Sequence, residues 1–204
     1  SLLTAPCPFA VLVQYFLMVQ FMLPVFAGRG SKGLWLDLLK LSIPSMVLWL
    51  LMFYTLFHCY LNFVAEVTMY ADRAFYHKWY NATTLKRFWA DWNQPVHEFC
   101  LRHLYIDVVK YGNISKEYAL LGTFLISAVL HELIFSVAFK TVRGWFFGGM
   151  LLQVPLIMLS QQLRGTRRGN LTVWLSLFLG QPLLELLYIR EYLAEHDSFF
   201  CVSG

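Results

Sequence analysis

The chain has 204 residues, of which 58% are hydrophobic, 18% aromatic and only 14% charged, where an ordinary soluble domain carries about 25% charged residues. This balance excludes disordered, collagen-like and low-complexity chains and small disulfide scaffolds, argues against a soluble enzyme, and makes the chain an all-α, polytopic integral membrane protein. Its net charge of +4 is spread over connecting segments, which points to phospholipid headgroups or an anionic ligand and away from nucleic acid.

A helix needs about 20 apolar residues to cross a hydrocarbon core of about 30 Å. Ser1 to Gly28 holds no Asp, Glu, Lys or Arg, and Pro8 to Ala27 is the first expected span. Because the chain starts at Ser1 and is apolar from Leu2, it is expected to be the C-terminal part of a longer protein. Val25-Phe26-Ala27 resembles a signal cleavage site, but no basic segment precedes it. Leu41 to Ala65 is the second span, Tyr118 to Phe139 the third, Gly144 to Leu163 the fourth and Asn170 to Ile189 the fifth. Gly148, Gly149 and Pro155 interrupt the fourth, and Gly180 and Pro182 the fifth. Neighbouring helices can satisfy the backbone groups that such breakers free.

The spans leave one long polar segment, Glu66 to Glu117. Lys and Arg fall ten on its side of the membrane and six on the other, where Arg29, Lys32, Lys40, Lys140, Arg143 and Arg190 collect. The excess places the long segment in the cytosol and the C-terminus on the lumenal side. The sequons at Asn81, Asn113 and Asn170 then stay unglycosylated. The segment interleaves Phe75, Tyr76, Trp79, Tyr80, Phe88, Trp89, Trp92, Phe99 and Tyr105 with charges. Aromatic rings with one wet end suit the membrane interface, so two amphipathic interfacial helices are expected. They are separated near Asn81-Ala-Thr-Thr84, with Thr83 or Thr84 capping the second. Cys7, Cys59, Cys100 and Cys201 are too widely spaced for a zinc site or a disulfide framework and read as free thiols.

Charged side chains inside a span cost roughly 2.5–3.5 kcal/mol on insertion scales and usually mark function. The third span contains Ser127-Ala-Val-Leu-His131-Glu132. His131 falls near mid-depth, and its neutral imidazole offers a lone pair as a general base. Adjacent helical positions diverge by about 100°, so Glu132 is expected to support the site or a neighbouring helix and not to hold His131 directly. A zincin would need a histidine at position 135, where Phe135 stands. A structural histidine bonded to a neighbouring helix is the plainer alternative. Gln153 and Gln181 are neutral polar groups at similar depth, and Glu185 lies one turn past Gln181. Together these residues outline an internal polar cavity. His58 and Glu66 are weaker candidates.

Five motifs follow one another in order: Phe75-Tyr-His-Lys-Trp-Tyr-Asn81, Trp92-Asn-Gln-Pro-Val-His97, Ser127-Ala-Val-Leu-His131-Glu132, Gln153-Val-Pro155 and Gly180-Gln-Pro182. Over about residues 34 to 192 the chain resembles the membrane-bound O-acyltransferase superfamily, in the branch acting on diacylglycerol and sterols. Of the branch's F-Y-x-D-W-W-N signature, Phe75, Tyr76, Trp79 and Asn81 hold, while Lys78 replaces Asp and Tyr80 replaces the second Trp. The resemblance implies that residues 1–204 are the C-terminal part of a single membrane-embedded acyltransferase domain, with His131 as the catalytic base and Glu132 as its partner. It implies that Asn93, His97, Tyr105, Lys116 and Ser127 line the acyl-CoA path, with Trp89 and Trp92 in the same stretch, and that Gln153 and Gln181 lie near the reaction centre. Asn93, Gln153 or Gln181 would donate to the developing oxyanion. Lys116, Arg102 and Lys110 would hold the CoA phosphates. A thioester donor needs no metal and no cofactor. The implied setting is the endoplasmic reticulum membrane, as a homodimer or homotetramer. Trp92 to His97 and Trp174 to Pro182 look more like the diacylglycerol enzymes, whereas Met69 to Arg73 and Lys140 to Pro155 lean towards the sterol enzymes, so diacylglycerol is the favoured acceptor and a sterol O-acyltransferase the alternative. A transporter or channel fragment, with His131, Gln153 and Gln181 along a polar route, is the distant alternative.

Overall fold

The computed structural model describes residues 6–28, 31–112 and 114–200, and their side chains except those of 6–8, 117 and 196–200. Arg29, Cys201 and the Asn113 sequon lie outside the described residues, as does the Cys7 side chain. Among the described residues there are ten α-helices: α1 (Pro6–Leu17), α2 (Leu23–Phe26), α3 (Leu34–Phe53), α4 (Leu61–Val67), α5 (Leu85–Trp92), α6 (Gln94–Phe99), α7 (Asp107–Tyr111), α8 (Lys116–Phe139), α9 (Trp145–Gln161) and α10 (Arg167–Phe200). Wide π turns at Met18–Met22, Tyr54–Tyr60 and Cys100–Ile106 join α1 to α2, α3 to α4 and α6 to α7.

Among the described residues, four stretches are long and apolar enough to cross a membrane: Phe9–Phe26, Leu34–Val67, Tyr118–Phe139 and Arg167–Glu195. Their outward faces carry large apolar side chains, such as Phe9, Leu12, Tyr15, Ile43 and Ile134, each more than half exposed. In water such faces would be a liability, whereas lipid accepts them. The expected fourth span is shorter than foreseen. Helix α9 has 17 residues, about 25 Å at 1.5 Å per residue, so it falls short of a full crossing. The second span starts earlier than foreseen, at Leu34, and so takes in Asp37.

The chain divides into two compact units, one of residues 1–75 and 175–204 and the other of residues 76–174. In the first, Met22, Phe26, Leu38, Leu41 and Leu186 form a buried cluster, with Leu48, Leu183 and Ile189 packed on it. Polar groups also cross between its helices. Asp37 is 2% exposed and takes Arg190 Nη2 at 2.6 Å and the Ser31 hydroxyl. Arg190 also donates to the Val25 carbonyl at 3.3 Å. The pair joins the start of α3 to the far part of α10, two places that the charge count also put on one membrane side. One turn deeper, Ser45 Oγ donates to Glu185 Oε2 at 2.8 Å and Gln181 Nε2 donates to Glu185 Oε1 at 3.1 Å. Lipid supplies no hydrophobic force between helices, so such bonds and close packing hold them.

The first expected interfacial helix, around residues 66–80, is absent. After α4 the chain turns through Met69 at φ 55° and runs without regular structure to a single 3-10 turn, Trp79–Asn81. Local bonds take over there: Arg73 pairs with Glu66 at 2.5 Å, and Asp72 Oδ1 accepts from Ala74 N, satisfying backbone that a helix would otherwise use. The second expected helix is present as α5, capped by Thr84, whose hydroxyl accepts from Arg87 N at 3.2 Å.

Removing Asp37 strands the Arg190 charge in an apolar surround. Asp37→Leu is expected to lower the thermal unfolding midpoint in detergent, by an amount equivalent to about 3 kcal/mol. Asp37→Leu with Arg190→Met is expected to recover part of that loss. Equal midpoints for wild type and Asp37→Leu would contradict the pairing.

Candidate functional site

The second unit is built around a helical hairpin, α8 and α9, joined by Lys140 to Gly144. Lys140 closes α8 in the left-handed conformation, with its N–H bonded to the Ser136 carbonyl. Gly144 opens α9 at φ +80°, a region costly for any side chain. The Glu132 carboxylate, 8% exposed, sits over this helix start. Its Oε1 accepts from Arg143 N at 3.0 Å and Gly144 N at 2.7 Å, and its Oε2 from Phe146 N at 3.1 Å and Phe147 N at 3.2 Å. One side chain thus satisfies amides at the head of α9 that have no partner inside their own helix, and puts negative charge at the positive end of the helix dipole. One turn further along α8, Phe135 stacks on Phe146 with ring centroids 3.5 Å apart. Glu132 therefore supports the neighbouring helix, as the angular argument required.

His131 points elsewhere. Its Nδ1 lies 2.7 Å from the carbonyl of Ser127 and 3.4 Å from the Ser127 hydroxyl. A carbonyl can only accept, so Nδ1 is the donor in this contact, and in the neutral ring Nε2 is the nitrogen with the lone pair. That is the tautomer a general base needs. The i, i+4 spacing of Ser127 and His131 makes this contact helical in origin.

The signature residues form a structural knot. Trp79 is buried and meets Phe88, Trp92 and Trp174 edge-on or tilted, at 6.0, 5.2 and 5.9 Å between centroids. Tyr76 is half-buried beside it in sequence, Asn81 is exposed, and Phe75 closes the other unit, half-buried. Trp174 Nε1 and Asn170 Nδ2 both donate to the Tyr80 carbonyl, and Asn170 also reaches the Ala82 carbonyl at 2.8 Å. At Gly169 an added Cβ would lie 2.3 Å from the Thr83 carbonyl oxygen, so only glycine allows this approach. Asn170, noticed in the sequence as a sequon, is thus a clasp for the signature loop. Ser160 joins it by accepting from Leu85 N at 3.2 Å; nothing in the sequence singled either contact out.

Asn93 ends α5 and caps α6, accepting from Val96 N at 3.2 Å, with Pro95 in the first turn. Its oxygen is engaged, while its amide remains a donor. His97 and Tyr105 are half-buried on the helical run from α6 to α7, and Lys116 is exposed as the first residue of α8. Arg102 is paired with Glu98 at 3.0 Å. Trp89 has a buried indole N–H, and Gln153 a buried amide oxygen, with no hydrogen-bond partner among the described residues. Gln181 belongs to the other unit and is tied to Glu185. Among the sequence-derived candidates, Ser127 and His131 are in direct contact, and Trp79 and Trp92 meet in the aromatic knot. Cys59 and Cys100 are free thiols; burial pushes the Cys100 thiol up, away from the reactive thiolate.

Glu132→Ala leaves at least two buried N–H groups without an acceptor, and is expected to destabilise the protein by about 3–5 kcal/mol. Glu132→Gln, which keeps one acceptor oxygen, is expected to fall between it and wild type. Thermal unfolding in detergent gives the order; equal midpoints for all three would remove the capping role.

Residues 4–190 match the membrane-bound O-acyltransferase family. The chain is 44% identical over 155 residues to human diacylglycerol O-acyltransferase 1, an alignment covering 76% of this chain and 32% of that protein. It is 42% identical over 164 residues to diacylglycerol O-acyltransferase 1 of Dictyostelium discoideum, covering 80% and 26%. To diacylglycerol O-acyltransferase 1-1 of Oryza sativa subsp. japonica it is 40% identical over 190 residues, covering 88% and 35%. The chain spans between about a quarter and a third of the length of these curated relatives. With the family match running over nearly its whole length, the chain belongs to the membrane-bound O-acyltransferase family.

Proposed function

We propose that this chain is the catalytic C-terminal part of a single-domain acyltransferase that moves a fatty acyl chain from acyl-CoA to the hydroxyl of diacylglycerol, making triacylglycerol. The observation that carries the reading is the His131 imidazole in the third span, with Nδ1–H on the Ser127 carbonyl and Nε2 left as a base. The likeness to diacylglycerol O-acyltransferases of three distant organisms supports the choice of acceptor.

In this mechanism His131 Nε2 takes the proton of the acceptor hydroxyl as its oxygen attacks the thioester carbonyl. The carbon–sulfur bond then breaks, and the departing CoA sulfur takes the proton back from Nε2–H. Atoms and charge balance without a cofactor, because the thioester supplies the driving force. The Asn93 amide or the Gln153 amide is the donor for the developing oxyanion. Gln181, bonded to Glu185, has the weaker claim. Glu132 acts as a positioning residue through α9. Lys116, Arg102 and Lys110 offer charge for the CoA phosphates, and Trp89, Trp92, His97, Tyr105 and Ser127 are the proposed lining of the acyl-CoA path. The endoplasmic reticulum membrane, a cytosolic long segment and a homo-oligomer complete the proposal.

Microsomes containing the full-length protein, given radiolabelled oleoyl-CoA with diacylglycerol or sterol, provide the test. Wild type is expected to make triacylglycerol, and His131→Ala to lose about 10²-fold or more of the rate with an unchanged unfolding midpoint. Full activity in a folded His131→Ala overturns the base. Steryl ester as the sole product overturns the acceptor.

A further inference from the structure

In the second unit, the signature loop and α5 line an open cavity of about 730 Å³. Tyr76, His77, Lys78, Asn81, Arg87 and Asp91 are prominent in its lining. The candidate acyl-transfer residues do not reach it: His131, Gln153, His97 and Lys116 are absent from the lining.

Its charge pattern is one-sided. Lys78 and His77 are exposed, and the Arg87 side chain is 65% exposed. The sole acid of the lining, Asp91, is 5% exposed. Its carboxylate takes Arg87 Nε at 2.6 Å, which leaves the Nη donors of the same guanidinium available. Lys78 stands at the position where the signature of this family reads Asp, so the sign of the charge at the cavity mouth is reversed in this chain.

The cavity is also pre-formed. His77 N donates to the Asp91 carbonyl at 2.8 Å, Trp79 N to the His77 carbonyl at 2.9 Å, and Asn81 N to the Lys78 carbonyl at 3.1 Å. Asn170 and Trp174 hold the Tyr80 carbonyl from the other side. Lys78 therefore projects from a backbone pinned at each neighbour, so little ordering is needed on binding.

We infer that this cavity binds a phosphomonoester. Such a group carries nearly two negative charges near neutral pH and three acceptor oxygens. It meets an ammonium, a guanidinium and the Asn81 amide, a set suited to charge-assisted bonds. A cationic ligand would meet Lys78 and Arg87, and a purely apolar one would strip their water without return. The phosphate can belong to a lipid headgroup or to a soluble compound.

The test uses the full-length protein in phosphatidylcholine nanodiscs and reads binding alone, so it does not depend on acyl transfer. Calorimetric titrations are made with dioctanoyl phosphatidic acid, dioctanoyl phosphatidylcholine and inorganic phosphate, on wild type, Lys78→Gln and Lys78→Asp. Phosphatidic acid is expected to bind wild type, to bind Lys78→Asp about tenfold more weakly or less, and to bind Lys78→Gln in between, with unfolding midpoints unchanged. Inorganic phosphate that displaces the lipid identifies the phosphate itself as the ligand. Failure to displace it assigns the site to a lipid headgroup. If Lys78→Asp does not fold, Lys78→Gln alone decides. Affinity unchanged in the folded variants overturns the site, as does phosphatidylcholine binding as well as phosphatidic acid, or no binding to wild type.

Discussion

The architecture of the second unit depends on one carboxylate placed where water cannot do its work. Every helix leaves its first amides without partners inside it, and each one buried unpaired costs free energy comparable to a lost hydrogen bond. Glu132 satisfies four of them from the preceding helix. The contact fixes how α8 and α9 meet and makes Gly144 the only easy residue at the turn. It also sets the rotation of α8, because Glu132 must face α9. His131, about 100° away, then faces elsewhere. The adjacency of histidine and glutamate in the sequence thus reflects two duties divided between two faces of one helix.

The tautomer of His131 follows from the same helix. The Ser127 carbonyl lies one turn back, and its contact engages Nδ1 without any further side chain, leaving Nε2 for the proposed role of base. Serine–histidine–acid arrangements use a carboxylate to set the tautomer. Here a backbone oxygen serves, which frees Glu132 for structure. The proposed base thus needs no charged partner inside the membrane, where a second charge would itself require compensation.

Elsewhere polar groups act as joints and aromatic groups as filler. In one unit Asp37 with Arg190, and Ser45 with Glu185, link α3 to α10 across separations of 153 and 140 residues. In the other, Asn170, Trp174 and Ser160 clasp a loop whose Trp79 sits among Phe88, Trp92 and Trp174. The signature is therefore first an architectural device. Its buried tryptophan anchors the loop, while Lys78 beside it is left on the surface.

Local physics explains what could be read from the residues in order. Composition and apolar runs established a helical membrane protein, and three of the spans lie close to where their hydropathy put them, Phe9–Phe26, Tyr118–Phe139 and Arg167–Glu195. The Thr84 cap and the divergence of His131 and Glu132 depend on neighbours within four residues, so spacing alone revealed them. The missing interfacial helix was not legible, because aromatic content marks affinity for an interface and not the backbone form taken there. Nor were the partners of Asp37, Glu132, Asn170 and Glu185 legible. Each is chosen by which helices pack together, and a carboxylate or amide carries no local sign of the distant backbone or side chain that will satisfy it. The sequence by itself determined the class of protein, its apolar segments and the spacing that sets the proposed base, His131, apart from Glu132. Only the tertiary structure decided which polar groups became joints, since burial makes an unsatisfied group costly and packing determines which partner lies within reach.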